Sequence, residues 1–188
     1  QNFDFSADGV YNIIVYASLS GDENPNNDTI HGVVNNYVSS QVPITIDFED
    51  VSLHDRYTIV DNNGDDNTMV ILNNATYAHS GSYSLAYGWS VTNPADDYFF
   101  SSCIDLEAGQ SYKLSLWYRV RSASYPESFE VYLASGPSVA EIIGSPIISI
   151  SDATNTTYAE ATTANNVTVD NDGSYYIAIR ATSAADMF

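Results

Sequence analysis

The sequence predicts an all-β chain: a two-sheet jelly-roll β-sandwich preceded by a lone β-hairpin. Three observations predict the β class. Apolar residues alternate with polar ones in short runs, and no helical period outlasts one turn. Clusters of Asp, Asn, Gly and Ser interrupt those runs at intervals of about ten residues, the spacing of a sandwich. Tyrosine is abundant, with 15 in 188 residues, and aromatic side chains suit a pleated, half-buried surface.

The elements follow in order. Tyr11, Ile13 and Val15 share one face of a first strand, the polar stretch Gly21–Asp28 turns the chain, and Thr29–Val34 resumes an extended pattern. Two strands alone are marginal in water, so residues 1–41 read as the last hairpin of a module whose other strands are absent. A second unit, 42–188, opens with Ile44, Ile46 and Phe48 alternating with Thr45, Asp47 and Glu49. Further strands are expected at Tyr57–Val60, Thr68–Leu72, Ser82–Tyr87, Tyr98–Ile104, Ser111–Val120, Ser128–Ala134, Pro146–Ile150, Thr157–Thr163 and Gly173–Ala181. In the clearest of these, Tyr112, Leu114, Leu116, Tyr118 and Val120 form one face, and Lys113, Ser115, Trp117, Arg119 and Arg121 the other. Those cations are expected to pair with carboxylates across the sheet; the alternative is an anion or partner site. About ten short strands in roughly 145 residues fit a jelly roll, whereas an immunoglobulin-like sandwich needs only about 100.

Composition excludes several functions. Five Lys and Arg against 24 Asp and Glu leave a net charge of -19. Duplex nucleic acid and an anionic membrane surface both require a cationic footprint, so neither nucleic-acid binding nor membrane insertion is expected. The apolar runs are of strand length. Cys103 is the single cysteine, so no internal disulfide forms. A basic leader region and an initiator Met are both missing, as in a mature or trimmed chain. Of the 24 acids 17 are Asp, which suits turns and equally suits the hard-oxygen ligation of Ca²⁺.

The sharpest cation candidate is Asp61-Asn62-Asn63-Gly64-Asp65, where Asp61, Asn63 and Asp65 alternate and Gly64 permits a tight bend. It is not an EF-hand, since position twelve is Leu72 and not a bidentate Glu. The competing reading is an Asn/Asp turn with no metal.

Four stretches carry a resemblance to a known family: Asp47-Phe48-Glu49-Asp50, Tyr57 through Asp66, Ser80-Gly81-Ser82-Tyr83-Ser84-Leu85, and Pro94-Ala95-Asp96-Asp97-Tyr98-Phe99-Phe100-Ser101. Leu106–Arg119 and Glu127–Leu133 continue it. Residues 43–186 resemble the cleaved adhesin, or choice-of-anchor, jelly-roll domains of secreted and surface proteins of Bacteroidetes, including the adhesin regions of gingipain proteases. Gly9–Val15 with Gly21–Thr29 resembles the end of an immunoglobulin-like surface module, which commonly precedes such a domain. Tyr57 and Met69 stand where the family often has Trp. The family usually adds a last strand beyond the point where this chain stops, at Ala185-Asp186-Met187-Phe188. Its absence would leave an open sheet edge that permits self-association. The resemblance implies a structural Ca²⁺ and adds Glu49 and Asp97 to Asp61, Asn63 and Asp65 as its ligands.

Enzyme readings find little support. His31, His54 and His79 lie outside any Gly-x-Ser-x-Gly or His-Glu-x-x-His pattern and are expected as solvated side chains. Cys103, in an apolar strand, reads as a buried inert thiol. Asp96 and Asp97 are adjacent, so on a strand they point apart and cannot face each other as glycosidase carboxylates do. Trp117, on the polar face of its strand, and Trp89, in Gly88-Trp89-Ser90, are candidate sugar-stacking platforms. The expected function is therefore a non-catalytic extracellular adhesion or binding module of a multidomain bacterial surface or secreted protein, its loops braced by calcium. Its partners would be a host protein, a glycan or neighbouring domains of the same chain. The alternative is a carbohydrate-binding module appended to a secreted hydrolase or protease.

Overall fold

The computed structural model describes residues 3–5, 7–18, 21, 24 and 28–185. They form two compact units, 1–38 and 39–188. In the first, β1 (Gly9–Tyr16) and β2 (Thr29–Asn36) pair antiparallel, from Gly9 opposite Asn36 to Tyr16 opposite Thr29. Tyr11, Ile13 and Val15 share one face with Val34, Gly32 and Ile30, as the alternation requires. Of the expected turn Gly21–Asp28, only Gly21, Asn24 and Asp28 lie within the described residues.

The second unit contains β3 (Ser40–Gln41), β4 (Thr58–Asp61), β5 (Met69–Asn73), β6 (Tyr83–Tyr87), β7 (Asp97–Phe100), β8 (Ile104–Leu106), β9 (Ser115–Tyr118), β10 (Glu127–Ala134), β11 (Ile142–Ala153), β12 (Ala159–Thr162) and β13 (Gly173–Ala181). The units divide three residues earlier than the expected boundary after 41. The cause is β3, which pairs parallel with β8. Ser39 Oγ and Gln41 Nε2 reinforce it by donating to Asp105 Oδ2 at 2.6 and 2.7 Å.

One layer is a seven-stranded sheet in the order β11-β10-β13-β7-β4, with β8 on β13 and β3 on β8. The long β13 serves two partners: Gly173–Tyr175 pairs with β8 and Ala178–Ala181 with β7. The hairpin β5–β6 and the pair β9–β12 form the facing layer. Phe99 and Ala181 from the large sheet meet Met69, Leu85 and Tyr87 from the hairpin. Val131 and Ile148 meet Leu114, Leu116, Tyr118 and Ala161. Phe99, Phe100 and Val131 are fully enclosed, and each such side chain stabilises the fold by about 1.5–3 kcal/mol. The result is the predicted all-β jelly-roll sandwich.

Three expected strands differ in detail. Ile44, Ile46 and Phe48 are half-buried and Thr45, Asp47 and Glu49 exposed, as expected, yet the segment joins no ladder. Phe48 adopts φ 65°, outside the extended region that a strand needs. The expected strand Tyr98–Ile104 is two strands, β7 and β8, interrupted at Ser101–Cys103. There Ser101 Oγ accepts from Ile177 N at 3.0 Å and donates to Ser102 O. The ladder of Ser111–Val120 contracts to β9 with a single bridge, Tyr112 to Val167. Its face alternation nevertheless holds: Tyr112, Leu114, Leu116 and Tyr118 are half-buried, while Lys113, Ser115 and Trp117 are exposed.

Candidate functional site

Asp61 ends β4, and the loop after it reverses on positive-φ residues at Gly64 and Asp66. Asp61 drives that reversal. Its Oδ1 accepts from Gly64 N at 2.7 Å and Asp65 N at 3.3 Å, and its Oδ2 from Asp66 N at 2.9 Å. Asn63 Oδ1 accepts from Asp65 N at 3.2 Å, and Asn63 Nδ2 donates to Pro94 O at 2.8 Å. Asp61 and Asn63 therefore spend their oxygens on the loop's own amides, an Asx-turn role. Asp65 differs. Its Oδ1 accepts from Asn67 N at 2.9 Å, the chief reason its carboxyl stays below the usual range, while its buried Oδ2 closes no full hydrogen bond, with Asn93 and Ser90 nearby as weaker donors.

Asp97 lies opposite Asp61 in the β4–β7 register and shares its strand face with Phe99, towards the core. It is 0% exposed. Oδ2 accepts from Asp96 N at 3.2 Å, and Oδ1 closes no full hydrogen bond. Burial raises its pKa, the Thr68 hydroxyl and the Asp96 amide oppose that shift, and the charges of Asp61 and Asp65 add to it. The buried Thr68 and Tyr87 hydroxyls face the Asp97 carboxylate as its potential donors, although neither closes a full hydrogen bond to it. Burial, followed by the Asp97 and Asp65 charges, keeps the Tyr87 phenol protonated. Asp97 and the two hydroxyls beside it thus form a buried polar group that is incompletely paired. Each buried polar group left without a partner costs about 1–3 kcal/mol.

Glu49 has a separate role. Its Oε1 accepts from Ser82 N at 2.8 Å and Tyr83 N at 2.7 Å, clamping the segment before β4 to the start of β6. Gly81 makes room for it. At φ 65° this residue already disfavours a side chain, and an added Cβ would lie 2.4 Å from Glu49 Cδ. Among the described residues, no group of three or more His, Cys, Asp or Glu is arranged to hold a metal. The structure therefore does not gather Glu49, Asp61, Asn63, Asp65 and Asp97 into one centre. Glu49 and Asp61 are committed to backbone amides, and only Asp65 and Asp97 retain inward-facing oxygens.

A second constellation covers the outer face of β9–β12. Trp117 is 48% exposed and stacks on His79, with ring centroids 4.5 Å apart and planes 12° from parallel. Tyr158 meets the edge of His79 at 4.9 Å and donates its hydroxyl to Tyr77 O. The Arg119 guanidinium lies over the Tyr77 ring, 5.5 Å from its centroid. Burial raises the Tyr158 pKa, and Arg119 opposes that shift. Trp89, in the loop after β6, is 39% exposed.

Among the described residues, the cations of this face do not pair with carboxylates as expected. The register sets Glu160 opposite Trp117 and not opposite an arginine. Lys113 Nζ donates to Thr163 O at 3.1 Å instead. Period-two alternation places Trp117 and Arg119 on one face and carries Tyr158 and Glu160 to the same side of the partner strand. No periodicity marks Tyr77 and His79, which arrive on the loop between β5 and β6.

The remaining chemical candidates are structural. His54 is not solvated as expected: its Nε2 lies 2.8 Å from Phe48 O, and its ring packs against Tyr57 and Tyr83. Cys103 is buried, and burial raises its thiol pKa.

No protein-family model and no curated protein matches the chain. Among solved structures it is similar to the K3 cleaved adhesin domain of Lys-gingipain from Porphyromonas gingivalis W83. That match has TM-score 0.56 and 18% identity, and covers 76% of this chain and 88% of that one. The K1 cleaved adhesin domain of the same protease matches with TM-score 0.50 and 18% identity, over 71% of this chain and 84% of that one. A looser likeness, TM-score 0.47 at 13% identity over 98% of this chain and 72% of the other, is to a structure of carbohydrate-binding modules of the β-sandwich superfamily. The jelly-roll unit accordingly has the fold of the gingipain cleaved adhesin domains, as the sequence resemblance implied.

Proposed function

We propose that the chain is a non-catalytic binding module of a secreted or surface-exposed bacterial protein, acting in adhesion, with calcium bracing its loops. Two features support this reading. The fold is that of adhesin domains. The exposed side chains that could engage a partner form an aromatic platform on a sheet face, centred on Trp117. The platform is the observation that carries the reading, because exposed aromatic rings on a rigid sheet are recognition groups. Residues 1–38, in this reading, are the closing hairpin of an immunoglobulin-like module.

Asp65 and Asp97 fit a calcium ion. Each has a buried carboxylate oxygen that closes no full hydrogen bond, and such oxygens are what a hard cation takes up. The ion would neutralise two acids and tie the loop after β4 to β7. Neutral oxygens such as that of Thr68 would complete the set, since Ca²⁺ takes about 6–8 oxygens. Thermal melts in calcium and in chelator test this half of the reading. A transition unchanged by millimolar calcium removes the brace.

The second reading, a carbohydrate-binding module, is favoured by the Trp117 stack. An indole held parallel to His79 presents its other face at a defined angle for a sugar ring. Binding of an immobilised glycan panel that survives Trp117→Ala and Trp89→Ala together would eliminate it.

A further inference from the structure

We infer that the outer face of β9–β12 is a subsite for a carboxylated sugar, with Trp117 stacking on the ring, Arg119 meeting the carboxylate and Glu160 accepting from ring hydroxyls. The inference rests on the carbohydrate-binding reading and narrows it to a ligand class.

Arg119 is the starting point. The chain has 24 acidic residues for five cations. A cation whose task was to brace the sheet would find a carboxylate, as Arg180 does with Asp96 and Glu130. Among the described residues, Arg119 forms no ion pair and lies instead on the Tyr77 ring. A guanidinium stacked on an aromatic face keeps its N–H donors at its edge, where they match a planar carboxylate. Arg119 is half-buried, and Arg121, two residues on, is exposed. Two cations close together in a chain of net charge -19 mark where an anionic ligand can approach.

The rest of the face determines what kind of anion. Trp117 stands two residues before Arg119, on the exposed face of β9, with His79 stacked on it and Tyr158 edge-on to His79. The bond from Tyr158 to Tyr77 O ties the loop between β5 and β6 to this sheet. Trp117 is therefore held in place before any ligand arrives, which lowers the entropy cost of binding. Its open face suits a ligand with a flat, C–H-bearing surface. Glu160, exposed and directly opposite Trp117, accepts hydrogen bonds and repels negative charge. A polysulfate or a phosphate cluster would meet that repulsion. A ring bearing hydroxyls for Glu160 and one carboxylate for Arg119 satisfies both groups. Uronic acids and sialic acids share that chemistry.

The test is isothermal titration of the 188-residue chain with oligogalacturonide, sialyllactose, and the neutral counterparts cello-oligosaccharide and lactose. One acidic sugar should bind at least about tenfold more tightly than its neutral counterpart, the worth of one charge-assisted hydrogen bond. The two acidic arms separate the two sources. Arg119→Gln should bring the acidic and neutral affinities together, and Trp117→Ala should abolish both. Trp117→Phe, which keeps a ring, should retain part of the binding, so that a folding defect in the alanine variant does not decide the matter. Neutral sugars bound as tightly as acidic ones, with Arg119→Gln silent, would overturn this inference and leave the carbohydrate reading standing. Failure of all four sugars to bind would overturn both.

Discussion

Asp96 and Asp97 are consecutive in the chain and differ in nearly everything else. Asp96 Oδ1 accepts from Arg180 Nε and Nη2, each at 2.8 Å, and its Oδ2 from Asn62 Nδ2 at 2.6 Å. Arg180 also reaches Glu130 at 3.5 Å and lies over the Tyr98 ring, and Tyr132 OH donates to Glu130. That network is half-exposed and every member has a partner. Asp97, on the opposite face, is fully enclosed, with one oxygen that closes no full hydrogen bond to the two buried hydroxyls beside it. Asp96 is an element of sheet architecture, complete as it stands. Asp97 is a buried, incompletely paired acid, the place where the proposed calcium would act.

Four experiments press on that contrast, and the largest effect comes from calcium. At a hundredfold excess over its Kd, a ligand bound only by the folded state adds about 2.7 kcal/mol. Calcium should raise the melting temperature of the wild type and leave Asp97→Asn unmoved, whereas Asp96→Asn should respond like the wild type. A variant of Asp97 that keeps the full calcium response would erase the distinction between the two carboxylates.

Next in size is Asp97→Asn in chelator. The substitution removes a buried charge, and its amide can donate to the neighbouring oxygens. Denaturant melts should show a gain of about 1–3 kcal/mol, the cost of an unsatisfied buried group. A loss of stability would mean that the Asp97 carboxylate is already compensated.

The pH dependence in chelator is smaller and has a definite sign. The Asp97 pKa is raised in the folded state. Between the unfolded value near 3.9 and the folded one, the native protein therefore holds a proton that the unfolded chain has released. Stability from this group falls as pH rises through that window and returns as pH is lowered. Asp105 runs the other way. Hydrogen bonds from Ser39, Ser174 and Gln41 lower its pKa, so its contribution is present above the unfolded value and is lost as pH falls through the folded one. Asp97→Asn should remove the first dependence and spare the second, as urea midpoints across pH would show.

The smallest effect belongs to Asp96. Its pair with Arg180 is about one-third exposed on both sides, and solvent-screened pairs contribute about 1 kcal/mol or less. A double-mutant cycle on Asp96 and Arg180 should return a coupling within that limit, weakening with salt. A larger coupling would make the outer network as consequential as the buried one.

Much of this was legible along the chain. Period two alone sent Asp96 and Asp97 to opposite faces, put Leu116 and Tyr118 inward, and left Trp117 outward. The Asp61–Asp65 spacing marked a tight loop, although Asp61 turned out to cap the loop's own amides, an outcome that residue types alone do not separate from metal ligation. The alternation at Ile44–Phe48 gave the right faces but the wrong element, because a ladder also needs a neighbouring strand in register, and Phe48 leaves the extended region.

Local backbone chemistry therefore determined the β class, the strand faces and the positions of the turns, since each depends on residues within a few positions of one another. Only the tertiary structure decided that Thr68 and Tyr87 sit beside Asp97, that Glu49 spends its carboxylate on the amides of Ser82 and Tyr83, and that Glu160 falls opposite Trp117 while Arg119 finds Tyr77. Those outcomes depend on strand register and on which layer packs over which. They join residues tens of positions apart, and the side-chain alternation of a single strand carries no information about its partner.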